Sequence, residues 1–285
     1  MSKWFLSRGM CVAVVLLAVF AMLPKPVTAS HVWSTFHWRR TSAALKTIPT
    51  RRYLSAIWLA RYTTAMNDWR KPAMTKIKPA TTFIGGASRA CPVFSQQISV
   101  CNGTYGNTGW LGLAQVAVSG SHIQLGRALQ NDTYFNRAPY NTIPWRQLVI
   151  CQEIGHLFGI GHVNVVFGNR NVGSCMDYTN DPDGGGFYGP SNLHPYAHDY
   201  QLINARHNHI GSDLPTLLSG PESADLPEPT SEMPQALKDF NPTSLQEFGT
   251  LVWVGDGGRT ERYEANFGDG HKMVTQVIWA KKPRP

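Results

Sequence analysis

Acidic side chains are almost missing from the front of this chain: between residues 30 and 130 Asp68 stands alone against twelve Lys and Arg. A face of that kind suits anionic partners such as cell-envelope polymers, lipid headgroups or acidic substrates, or is simply a solvated basic surface. Long apolar runs are also scarce. Only residues 10–23 form one, and it is shorter than a membrane span, so the sequence predicts no span once that segment is removed. No helix-turn-helix pattern and no interleaving of aromatic and basic residues is present, which argues against a nucleic-acid partner.

What stands at the start explains the one apolar run. Lys3 and Arg8 precede it and Val27-Thr28-Ala29 follows with small residues, the layout of a secretory signal cleaved after Ala29. Removing Lys3, Arg8 and Lys25 lowers the net charge from +8 to +5. The expected destination is extracellular or in the cell envelope. Cys11 leaves with the signal, and Cys91, Cys101, Cys151 and Cys175 remain, an even number in an oxidising compartment.

The stretch with the most chemistry is Cys151-Gln152-Glu153-Ile154-Gly155-His156-Leu157-Phe158-Gly159-Ile160-Gly161-His162. On a helix, Gln152 and His156 lie one turn apart on one face, with Glu153 beside them. A glycine at 159 can take the left-handed conformation that ends a helix, which returns His162 toward the same point. A hydrolytic zinc needs three protein ligands, an open position and a carboxylate beside it.

The pattern resembles the metzincin clan of zinc peptidases, H-E-x-x-H-x-x-G-x-x-H followed by a methionine-containing turn, with Gln152 where the first histidine stands. Met176, fourteen residues beyond His162, lies in Ser174-Cys175-Met176-Asp177-Tyr178 and looks like that turn. The resemblance implies an α+β fold, with a twisted, mostly parallel sheet, a backing helix, an active-site helix, a Met-turn and a C-terminal helix. It implies Zn2+ held by Gln152, His156 and His162, with Glu153 as general base. Tyr178 would steady the transition state, and Met176 would form an apolar base under the histidines. The expected activity is that of a secreted endopeptidase acting on an extended peptide laid along a free sheet edge. Because an amide is a weak ligand, the alternative is a catalytically impaired relative that binds peptide or envelope material. A third class is a structural envelope protein engaged through its C-terminal strands. No matrixin-like proline-arginine-cysteine switch occurs, so latency has no visible signal.

Three cysteine pairings are open. The favoured one joins Cys91 to Cys101 and Cys151 to Cys175, the second tying the motif helix to the Met-turn; a rival makes Cys151 or Cys175 a thiolate ligand. Asp181 and Asp183, in Asn180-Asp181-Pro182-Asp183-Gly184-Gly185-Gly186, offer carboxylates to Ca2+ or belong to an ordinary loop. His194, His198, His207 and His209 cluster in sequence; His194 or His198 could complete the metal site, but surface histidines are the preferred reading.

The domain plan reads 1–29 signal, 30–212 peptidase-like domain, 213–242 linker and 243–285 a β-hairpin-rich extension. Within the domain, His37 to Arg40 would begin a first strand. Tyr53, Ile57, Ala60, Thr64 and Trp69 mark the buried stripe of a helix that Pro72 ends. Thr81–Ile84, LGLAQVAVS and IQLGRALQND read as strands, one of the last two at a sheet edge, and Pro195–His207 reads as the final helix.

Overall fold

The run LGLAQVAVS is apolar on alternate positions of both its faces, and such a run belongs inside a sheet covered on both sides. A computed structural model describes residues 31–211, 232–255 and 258–280. The expected signal peptide and residues 213–231 of the expected linker lie outside the described residues. Eight strands form one sheet: β1 (Lys46–Tyr53), β2 (Ile77–Gly85), β3 (Ile98–Gly103), β4 (Trp110–Ser119), β5 (His122–Asn131), β6 (Thr250–Val254), β7 (Thr260–Asn266) and β8 (His271–Trp279). Their spatial order is β2-β1-β3-β5-β4-β8-β7-β6.

The β2-β1, β1-β3 and β3-β5 pairings are parallel, while β5-β4, β4-β8, β8-β7 and β7-β6 are antiparallel. The fold is therefore α+β as expected, but the sheet is mostly antiparallel rather than mostly parallel. The reason lies in the last strands. The Gly268-Asp269-Gly270 turn sends the chain back from β7 into β8, and β8 pairs with β4 from Trp110↔Trp279 to Ser119↔His271. Neither β4 nor β5 is an edge; the outer strands are β2 and β6.

Helix α1 (Ala56–Asp68), the short α2 (Asp132–Phe135), α3 (Ile143–His156), α4 (Ala197–Arg206) and the short α5 (Gln235–Asp239) complete the described fold. Helix α3 packs on β4 and β5 and against α1. On that face Leu111, Ala114, Val116 and Val118 of β4 join Trp58, Trp69, Val149 and Ile154 in one core. On the other face Trp110 and Leu113 pack with Phe248, Tyr263, Val277 and the Cys91–Cys101 bridge. The chain before β6 straps that face: the Trp110 indole donates to the Thr243 carbonyl at 2.9 Å, and Gln115 Nε2 donates to that of Pro242, also at 2.9 Å.

The buried stripe of α1 is Trp58, Tyr62, Ala65 and Met66; of the expected stripe Trp69, at the helix end, is fully buried, whereas Ile57 and Ala60 face solvent and Tyr53 ends β1. Both stripes satisfy helical spacing, and within the helix the one carrying Trp58 and Tyr62 buries more apolar area than Ile57 and Ala60 would. His37–Arg40 forms no strand, contributing only an isolated bridge from His37 to His122.

Because β4 is buried on both faces and paired on both edges, the C-terminal strands are part of what stabilises it. A chain ending at residue 242 is expected to lose its cooperative thermal transition altogether, read by circular dichroism; a cooperative transition within a few degrees of the full chain would refute that dependence.

Candidate functional site

Helix α3 begins where Thr142 caps it, its hydroxyl accepting from Trp145 N, with Pro144 in the first turn. From Arg146 to His156 the helix is buried on all sides. It stops at His156, and Gly159 adopts φ 80°. A side chain there would be strained by that φ and would also collide with the Phe36 carbonyl, 2.1 Å from an added Cβ. The turn throws the chain back. His156 Nδ1–H donates to the Ile160 carbonyl at 2.8 Å, fixing the ring so that its Nε2 faces His162 Nε2 at 2.9 Å.

The remaining motif residues gather round this pair. Glu153 is fully buried, and neither carboxyl oxygen has a hydrogen-bond partner among the described residues. Burial pushes its pKa well above the ordinary carboxylate range. The same desolvation drives His156 down to about 4 and His162 well below its usual value, so both imidazoles are neutral near pH 7. Gln152 Nε2 donates to the Asp177 carbonyl at 3.3 Å, and its Oε1 is buried without a hydrogen-bond partner. The Tyr178 ring lies 4.3 Å from that of His162, held by main-chain bonds from Val163 N to Met176 O and from Tyr178 N to Asn164 O. Burial raises the pKa of its phenol.

Met176 reaches under α3, its sulfur against Gly155 so closely that a Cβ there would stand 2.5 Å away. Cys151 and Cys175 are disulfide-bonded, which removes both as thiolate ligands and ties the helix to the turn. Cys91 and Cys101 form the second bridge.

The other histidines lie elsewhere. His194 pairs with Asp68 at 2.6 Å, and the His198 ring packs between His31 and Tyr196, so neither completes the motif. His207 is buried rather than on the surface. Desolvation, with Asp183 beside it, raises the pKa of Asp181; its carbonyl accepts from Asn171 Nδ2 and Thr179 Oγ1, so the loop largely satisfies itself. Among the described residues no group of three or more His, Cys, Asp and Glu side chains is arranged to hold a metal ion. At the motif, the two imidazoles are supplemented by an amide.

Several neighbours went unseen in the motif. The Trp33 ring stands 5.7 Å from that of His156. Gly112 of β4 touches Glu153: a Cβ there would lie 2.5 Å from Oε1 and 2.6 Å from Val149 Cγ1. Thr260 neighbours the Tyr178 hydroxyl, and Arg259 stacks 3.4 Å over the Phe167 ring and donates to Asn180 Oδ1 at 3.0 Å. The extension therefore contributes residues to the surroundings of Tyr178. Glycine positions carry a signal only when their neighbours are known, and the 259–260 contribution is set by pairing across more than eighty residues. Compared with known protein families and with curated proteins, the sequence matches none.

Two substitutions probe the packing. Gly112→Ala should cost about 1–3 kcal/mol in denaturant unfolding, since the methyl must displace Glu153 or Val149; a neutral outcome would show that the contact is soft. Replacing Cys151 and Cys175 together by Ala should cost about 3 kcal/mol, from the loop they close. Thermal unfolding under non-reducing conditions reads it.

Proposed function

We propose that this chain is a secreted, metzincin-like zinc endopeptidase, with Gln152, His156 and His162 holding the ion and Glu153 acting as general base. One observation carries the reading: two neutral imidazoles are hydrogen-bonded Nε2 to Nε2 at 2.9 Å, one of them on the same buried helix as Glu153 and Gln152, whose side-chain oxygens are buried without a hydrogen-bond partner among the described residues. Ligands of a single tetrahedral zinc, bonded at roughly 2.0–2.1 Å, stand only slightly farther apart. The donor set suits a borderline divalent ion, and unsatisfied buried oxygens fit a site that takes a cation.

Zinc, when bound, supplies a Lewis acid that polarises the scissile carbonyl. Glu153 accepts a proton from the attacking water at one carboxylate oxygen and delivers it to the departing amine nitrogen, so water's hydroxyl ends on the carbonyl carbon and its proton on the amine. The Tyr178 phenol, kept protonated by burial, donates to the developing oxyanion. Met176 gives the histidines an apolar floor. The two disulfides support an oxidising compartment. No helix among the described residues is long and apolar enough to cross a membrane.

A second reading, an inactive peptide- or envelope-binding module, is favoured by one feature. Strand β8 fills the edge of β4, and Glu153 and His156 have no exposed surface. Metal and turnover separate the two. The enzyme reading expects one zinc per chain at this site, lost in His156→Ala and bound more tightly in Gln152→His. It also expects hydrolysis of an unfolded protein substrate to fall on the order of 10²–10⁴-fold in Glu153→Gln with an unchanged thermal midpoint. Turnover that survives Glu153→Gln sinks the catalytic assignment, and a parent chain with neither zinc at this site nor hydrolysis leaves the module.

A further inference from the structure

Four histidines meet far from the motif in sequence and share no residue with the candidate site. His37, from the N-terminal segment, is fully buried. The His122 ring, at the start of β5, stands 4.7 Å from it, the His209 ring 4.6 Å and the His207 ring 6.2 Å. Two of the four are distinguished by what their nitrogens do. His37 Nδ1–H donates to the Thr35 carbonyl at 2.8 Å, which leaves its Nε2 an acceptor, and that atom accepts from His209 Nε2 at 2.9 Å, a side-chain partner instead of a main-chain one. This repeats the arrangement of His156 and His162, where one ring is likewise locked through Nδ1 to a main-chain carbonyl. His207 differs: Nδ1 donates to the Ile203 carbonyl and Nε2 accepts from Trp38 N, so both its nitrogens are spent on the fold.

We propose that His37 and His209 form a second site for a borderline divalent transition ion, such as zinc, which fastens the N-terminal segment to the chain leaving α4. The protein supplies two imidazoles, and solvent on the open side of the half-buried His209 supplies the rest. Imidazole nitrogen without a carboxylate suits ions of the zinc and copper class and offers nothing to magnesium or calcium. The electrostatic neighbours of His37 are the three other histidines. The tether would reinforce contacts already in place there, the Gly211 N–H donating to the Arg40 carbonyl at 3.0 Å and Arg40 Nη1 donating to that of His207.

The test is zinc content after equilibrium dialysis of the mature full-length protein with zinc and then against metal-free buffer, on the parent, His209→Asn and His156→Ala. His209→Asn alters a half-buried side chain beyond the helix end, and its thermal midpoint in chelator, unchanged from the parent, verifies folding. If both sites bind, the parent holds two zinc ions and each variant one. If the motif site fails, the parent and His156→Ala hold one and His209→Asn none, so the two proposals fail separately. His37→Asn gives a second measurement of the same loss. Zinc content in His209→Asn and His37→Asn equal to the parent's overturns the proposal, as does equal thermal stabilisation of the parent and His209→Asn by zinc with the motif site disabled.

Discussion

The turn at Gly159 is the constraint on which the site depends. Its left-handed conformation ends α3 and reverses the chain within three residues, so that His162 comes back to His156. The reversal is not held by glycine alone. Trp33 N donates to the Gly159 carbonyl at 2.9 Å, Gly161 N donates to that of His31 at 2.6 Å, and the Trp38 indole donates to that of Leu157 at 2.7 Å. A helix end buried in a core must find partners for its last carbonyls. Those of Ile154, Gly155 and His156 accept from the N–H groups of Leu157, Phe158 and Gly159, and residues 33–38 satisfy the next ones, of Leu157 and Gly159, which makes the N-terminal segment a structural part of the turn.

That segment is gripped in turn from the far side. Arg206, at the end of α4, donates through Nε to the Phe36 carbonyl and through Nη2 to that of Ser34. Its guanidinium is fully buried with no carboxylate partner among the described residues, and desolvation lowers its pKa to about 9. Main-chain carbonyls satisfy its donors instead. The opposite end of the described chain does comparable work, since β8 completes β4 and Thr260 reaches Tyr178. Both ends therefore converge on one helix, which is why a motif made largely of polar residues lies with almost no exposed surface.

Legibility in the sequence followed range. Local signals were readable: the strands LGLAQVAVS and IQLGRALQND, the helix carrying Gln152 and His156, the glycine turn at 159 and a β-rich segment after residue 243 all appear where their periodicity and turn residues put them. Partnership was not. Nothing local distinguishes an edge strand from one that a distant segment will cover, and β8 reaches β4 across more than 150 residues. The stripe of α1 failed for a related reason, because two helical faces met the spacing rule and only the core they meet decides between them. His37 and His209, 172 residues apart, are brought together by the lacing of the N-terminal segment, and sequence alone left His209 as a surface residue.

The site's electrostatics follow from that burial. Glu153 is walled by Gly112 and Val149, and desolvation alone raises its pKa among the described residues; the two motif imidazoles resist protonation for the same reason that the carboxyl resists ionisation. Left alone, every group takes its uncharged form, and two carboxyl oxygens remain unsatisfied at a cost of about 1–3 kcal/mol each. A divalent ion would reverse that balance, favouring an ionised Glu153 and bare imidazole lone pairs together. Gln152 enters this balance differently from an imidazole. Its Nε2 already donates to the Asp177 carbonyl, so the Oε1 lone pair is what it has to offer, and that bond sets where the oxygen points. The amide's weakness as a ligand is thus offset in part by its being oriented beforehand, through the backbone of the residue next to Met176.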